Sequence, residues 1–170
     1  MKPPPDVIII RGAPGSGKTE LGKALAKYYP HGSRVEVDAL RKMVIGVNWT
    51  DQAEHIKLLG LAAGTVAEFW RLGFRPVIVI DTFSGDKVDG FLDRLRQTSP
   101  ALEIHLYALY LSEEVLTKRL ASRPDGSFKD LAIAKKLNTD ALRIRRPEEI
   151  QLDGTEFSPD ELASKVVSIA

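Results

Sequence analysis

The 170-residue chain has no cysteine. Disulfides, thiolate nucleophiles and cysteine-ligated zinc are therefore excluded. It carries almost no net charge: 24 Lys and Arg against 23 Asp and Glu, formally +1. A protein dedicated to duplex nucleic acid ordinarily shows a basic excess or stripe. That class is disfavoured, although a short basic groove for a strand end is not excluded. No apolar run approaches the roughly 18 residues of a membrane span. The opening MKPPPDVIII has only a short apolar run and no signal-peptide layout. His31, His55 and His105 share no metal-ligand spacing, and each is expected to be structural. Internal repeats, low-complexity segments and linkers are absent, as is any Ser-His-Asp pattern. A cytoplasmic protein with one domain over 1–170 is the expectation.

What the sequence does have is alternation. DVIII (6–10), SRVEVD (33–38), PVIVID (76–81), LEIHLYALYL (102–111) and EIQLDG (149–154) read as strands. The most apolar of these have the continuous character of strands buried on both faces. Helical spacing fills the gaps at 18–29, 39–46, 50–73, 87–98, 112–123, 129–146 and 158–170. In the long third helix, Ile56, Leu59, Ala63, Val66 and Trp70 form the expected inner stripe. Asp51 with Glu54, and Ser158 with Glu161, have capping-box spacing. The order β-α-β-α-α-β-α-β-α-α-β-α implies an α/β fold: one parallel five-stranded sheet with helices on both faces.

GAPGSGKT, residues 12–19, fits G-x-x-x-x-G-K-[ST] in full, between an apolar strand and a helix. Gly12, Gly15 and Gly17 let the backbone approach phosphate closely. With Ala13, Pro14 and Ser16 they form a loop whose amides can point at the phosphates. Lys18 can reach the terminal phosphates, and Thr19 offers a hydroxyl to Mg2+. A nucleoside triphosphate ligand follows.

VEVDALRKM, residues 35–43, ends a strand-like run in Asp38, with Arg41 three residues on. In open α/β sheets, ligands bind beyond the carboxyl ends of the strands. A carboxylate there can accept a proton from an attacking hydroxyl. A guanidinium there can hold an anionic or polar acceptor. Asp81 ends another such strand, where it can hold Mg2+ through water or touch an acceptor. Trp49 is a candidate wall of the acceptor pocket. Arg119 and Arg123 lie four apart on one helix face before the turn-forming PDGS (124–127). Arg143, Arg145 and Arg146 form the densest basic cluster, able to cover an adenine, reach a phosphate or face solvent.

VIIIRGAPGSGKTELGKALAKYYP…VEVDALRKM resembles the N-terminal half of small P-loop kinases of the polynucleotide kinase, chloramphenicol phosphotransferase and zeta-toxin type. VIVIDTFSG (77–85) is similar to that group's third strand, and LTKRLASR (116–123) to the helix leading into its lid. The resemblance covers about residues 6–123, and more loosely the last strand and helix. It implies a three-layer fold with strand order 2-3-1-4-5 and a small lid over about 119–130. It implies ATP and Mg2+ as cofactors, with transfer to a hydroxyl. It makes Asp38 the general base, Arg41 an acceptor contact, and Arg119 and Arg123 phosphate clamps; Lys18, Asp38 and Arg123 are then catalytic. Asp81-Thr82-Phe83 departs from the Asp-Thr-Asn of the polynucleotide kinases. Phe83 in the acceptor pocket suits a ring or apolar group as well as a sugar phosphate. With the neutral charge, this favours a small-molecule acceptor such as an antibiotic, sugar, nucleoside or nucleotide-sugar over a polynucleotide 5′-hydroxyl. A regulatory P-loop ATPase is the alternative from another class. Against it, no Asn-Lys-x-Asp motif is present and Thr82, not Glu, follows Asp81.

Overall fold

The computed structural model describes residues 3–143 and 146–169. Its elements run β1 (Val7–Gly12), α1 (Lys18–Ala26), β2 (Ser33–Glu36), α2 (Val37–Lys42), α3 (Gln52–Arg71), β3 (Val77–Asp81), α4 (Lys87–Thr98), β4 (Ile104–Tyr110), α5 (Glu113–Ala121), α6 (Leu131–Arg143), β5 (Glu149–Asp153) and α7 (Pro159–Ile169). The strands form one parallel sheet in the order β2-β3-β1-β4-β5, as expected. Among the described residues, no helix is long and apolar enough to cross a membrane.

The apolar β1 run works because side chains alternate between faces with a period of two. Val7 and Ile9 join Val35, Val77 and Val79 beneath α3 and α4. Ile8 and Ile10 join Ile78 and Ile80 beneath α1 and α7. All four β1 side chains are fully buried, and burial of each contributes about 1.5–3 kcal/mol. On α1, a Cβ at Gly22 would stand 2.3 Å from Ile80 Cδ1, so glycine lets this helix lie close on the sheet. Arg11 reaches past β4 to Glu149 on β5, with Nε–Oε2 at 2.9 Å and Nη2–Oε1 at 2.6 Å. Ala108, its small partner on β4, leaves room for that reach.

Several local expectations shift. The second strand stops at Glu36, and α2 begins at Val37, so Asp38 lies in the first turn of a helix rather than at a strand end. Tyr28 falls beyond α1 and is 46% exposed. On α3 the inner face is His55, Leu58, Leu59, Ala62, Ala63 and Val66, while Ile56 is exposed. Leu59, Ala63 and Val66 are common to both faces, so the inner face is turned from the expected stripe by about half a residue, some 50°. Asp51 caps α3 as expected, accepting from the Ala53 and Glu54 amides. Glu54 accepts instead from the Asn48 amide, which ties down the segment entering the helix. The Ser158–Glu161 capping box is complete in both directions. Of the basic cluster, Arg146 ion-pairs with Asp89 at 2.5 Å and with Glu149 at 3.4 Å, bracing α4 against β5. Arg143 is exposed, and Arg145 lies outside the described residues.

Candidate active site

The carboxyl edge of the sheet gathers the residues that carry chemistry. The loop after β1 turns tightly: Ser16 N donates to Ala13 O at 3.1 Å. Two glycines are required by geometry. A Cβ on Gly12 would stand 2.5 Å from Leu109 O, and Gly17, the residue preceding α1, has φ +97°. Arg119, on α5, donates to Ser16 O at 3.3 Å and to Gly154 O at 3.4 Å. It therefore lies on the loop backbone. Arg123, just past α5, donates to Phe128 O at 3.1 Å and braces the following turn. Gly126 in that turn has φ +81°.

Lys18 opens α1 and arches back over its own loop, its Nζ donating to Ala13 O at 2.9 Å. Burial pushes its pKa down to about 8. Asp81 and then Asp38 oppose that shift by attraction, and Arg123 adds to it by repulsion. Asp81, Asp38 and Arg123, all singled out in the sequence, thus act on the Lys18 ammonium group.

Asp81 ends β3 and is 5% exposed. Its Oδ2 accepts from the Phe83 amide at 2.9 Å and lies 3.3 Å from His55 Nε2. His55 is 6% exposed, and it is the residue that sequence reasoning missed. The turned face of α3 places it against Asp81, whereas a search for metal spacing gave no reason to notice it. Its neighbour on the same helix, Gln52, bonds Lys87 at the start of α4.

Phe83 is a correction. Its ring is fully buried, 5.1 Å from that of Phe91, inside the core under α3 and α4. The backbone turns sharply there (φ +47°), which swings the ring inward and the amide onto Asp81. Phe83 therefore offers no surface to an acceptor. Asp38 is exposed, and Arg41, three residues later on α2, is 6% exposed. Arg41 stacks 4.5 Å over the Trp49 ring and donates from Nη2 to Asn48 O (3.4 Å) and Trp49 O (3.1 Å). Its Nε is buried without a hydrogen-bond partner.

Thr19 and Asp81 supply oxygen donors, the chemistry a hard divalent cation takes. Among the described residues, no cluster of three or more His, Asp or Glu could hold a metal ion. Mg2+ carried in by a nucleotide needs only one or two protein ligands, because phosphates and water supply the rest.

A parallel 2-3-1-4-5 sheet with a phosphate-binding loop after its central strand is the fold of the P-loop kinases. A family model described as AAA domain matches residues 7–147, and the chain belongs to that family. Among solved structures, the chain is similar to the tunicamycin resistance protein of Deinococcus radiodurans: TM-score 0.72, 20% identity, covering 98% of this chain and 95% of that one. It is similar to a gluconokinase of Sinorhizobium meliloti, with TM-score 0.67, 23% identity, and 98% and 92% coverage. It is also similar to the APS kinase of Mycobacterium tuberculosis in complex with AMPPNP and APS, with TM-score 0.67, 14% identity, and 98% of each chain covered. No curated protein sequence matches the chain.

Proposed function

We propose that the protein is a kinase that moves the γ-phosphoryl of ATP to a hydroxyl of a small-molecule acceptor. The observation that carries this reading is the convergence of Asp38 and Asp81 on Lys18 at the mouth of a complete phosphate loop. The loop and Lys18 hold the β- and γ-phosphates. Thr19 and Asp81 hold Mg2+, which when bound offsets phosphate charge. Asp38 takes the proton of the attacking hydroxyl. Arg119 and Arg123 sit on the nucleotide side, and the turn through about 119–130 serves as a lid over it. Phosphoryl transfer is mostly positioning and electrostatic stabilisation, so these few groups suffice. Gluconokinase and APS kinase, among the similar structures, are named for small-molecule acceptors. ADP release should rise when a panel of sugars, sugar acids, nucleosides and hydroxylated antibiotics is added. Hydrolysis indifferent to every acceptor would favour a regulatory ATPase, and turnover confined to polynucleotide 5′ ends would move the acceptor class.

Lys18 gives this reading a pH signature. Its free pKa is about 8, and bound phosphates favour the charged form. Between the free and bound pKa values, binding must take up a proton, so ATP affinity falls as pH rises through about 8. Calorimetry at about pH 9 in two buffers of different ionisation enthalpy should show proton uptake. Uptake of none would show that Lys18 is already fully charged in the free protein.

A further inference from the structure

Two cations beyond the carboxyl ends of β2 and β3 are turned inward, and neither makes an ion pair with a carboxylate. Lys87 opens α4, six residues after the end of β3. Its Nζ is half-buried and bonds the Gln52 side chain and Ser84 Oγ, the latter at 2.8 Å. Both partners are neutral. Arg41 is more deeply buried, and its partners are two backbone carbonyls and the Trp49 ring. Among the described residues, neither Lys87 nor Arg41 has an ion-pair partner. Both are tied to one short segment: Gln52, which holds Lys87, donates from Nε2 to Thr50 O at 3.3 Å, and Arg41 donates to Asn48 O and Trp49 O. Burial lowers the Lys87 pKa, attraction to Asp81 raises it, repulsion by Arg41 lowers it, and a weaker attraction to Asp86 raises it. Asp81 cannot neutralise both, since its carboxylate is held by the Phe83 amide, stands beside His55, and also attracts Lys18.

Burying like charges without a counter-ion is costly, and a protein keeps such an arrangement where an anion completes it. Here the Arg41 Nε adds a buried donor that makes no hydrogen bond. Lys87 is held in place by Gln52 of α3, three residues before the His55 that faces Asp81, so its ammonium is fixed on this side of the cleft.

We propose that Arg41 and Lys87 form an anion-binding subsite beside Asp81, so that the acceptor carries a carboxylate or a phosphate in addition to the hydroxyl it presents to Asp38. This rests on the kinase reading above for the hydroxyl, but not for the anion. Lys87 thereby selects acidic acceptors over their neutral counterparts. A neutral polyol would leave both cations without an ion-pair partner. A planar guanidinium with an ammonium beside it suits either oxyanion.

The chain has two tryptophans, and Trp49 is stacked on Arg41. A Trp70→Phe protein therefore makes indole fluorescence a reporter of Arg41. With the phosphate loop filled by saturating Mg·ADP, inorganic phosphate and glycolate are titrated separately. A saturable change in Trp49 emission is expected with at least one of them. Its midpoint should rise about tenfold or more in Lys87→Met, a factor set by one lost charge-assisted contact. Lys87→Arg should restore most of the affinity. Response to phosphate alone, or to glycolate alone, assigns the kind of anion. Equal midpoints in Lys87→Met and its parent, or no response to either probe, would overturn the subsite. In parallel, ADP release is compared for glycerate against glycerol and glucose 6-phosphate against glucose. Lys87-dependent anion binding without turnover of any acceptor would sink the kinase reading and leave the subsite standing. Equal turnover of acidic and neutral partners, unaffected by Lys87→Met, would do the reverse.

Discussion

Lys18→Met is expected to reduce phosphoryl transfer by three orders of magnitude or more while leaving the fold intact. The lost group is the one cation that the loop itself directs at the terminal phosphates. Removal of a single preorganised contact to developing charge in an enzyme site costs about 10²–10³ in rate, or roughly 3–4 kcal/mol. Here the loss is compounded, because the Lys18 charge also attracts the Asp38 and Asp81 carboxylates. Without it, the charge nearest the loop that offsets these two carboxylates towards the incoming triphosphate is gone. The fold should not suffer. Burial lowers the Lys18 pKa from its ordinary value to about 8, so the native state holds its proton less readily than the unfolded chain. Keeping that proton at neutral pH is a cost to folding, and the cost disappears as pH rises past the unfolded value. Met removes the charge, and with it the cost. The melting temperature at neutral pH should therefore be equal to or above the parent's. A single-turnover assay with the identified acceptor, alongside a thermal melt, checks both halves. Near-parental transfer by Lys18→Met would refute the donor-site assignment.

The parts of this protein that are readable from sequence are those governed by local rules. The glycine and lysine spacing of 12–19 permits few backbone paths, and the structure takes the one required. Continuous apolar runs such as Val7–Ile10 mark strands covered on both sides, and two such faces leave few ways to arrange helices. What could not be read is set by tertiary fit. The face that α3 presents is decided by packing on α2, α4, β2 and β3, and a turn of about half a residue exchanges Ile56 for His55 while keeping Leu59, Ala63 and Val66 inside. Phe83 reads as an acceptor-pocket residue after a strand. The left-handed turn needed to bring its amide to Asp81 sends its ring into the core. Lys87, at the start of the helix read over 87–98, carries no motif that marks it. Only the meeting of α3 and α4 places Gln52 and Ser84 around its ammonium. One clue was available: Lys87 begins the helix after a strand that ends in Asp81, and residues in that position border the ligand edge of an open sheet.

Asp38→Asn should retain ATP binding and the fold but lose acceptor phosphorylation by two or more orders of magnitude. The structure sharpens this expectation, because Asp38 is not the cap of α2. That position belongs to Glu36, and Asp38 sits in the first turn, exposed at the cleft side of Lys18. A first-turn carboxylate favours the helix dipole by only about 0.3–1 kcal/mol. Asn keeps the size and forfeits no more than that, so the melting temperature should scarcely move. Chemistry is another matter. The amide cannot accept a proton from the attacking hydroxyl, and general-base assistance contributes about 10²–10⁴ in rate. The Asp38 charge also helps hold Lys18 protonated, so part of any change will appear as weaker nucleotide binding. Calorimetric affinity for ATP separates that part from the transfer step. A drop in affinity of a few-fold with a hundredfold or greater loss in single-turnover transfer identifies a base. If Asp38→Asn kept more than about a tenth of the transfer rate, only ~1.4 kcal/mol of barrier would be at stake. Asp38 would then act on Lys18 alone, and the proton acceptor would have to be sought at Asp81, the other carboxylate within reach of the same ammonium.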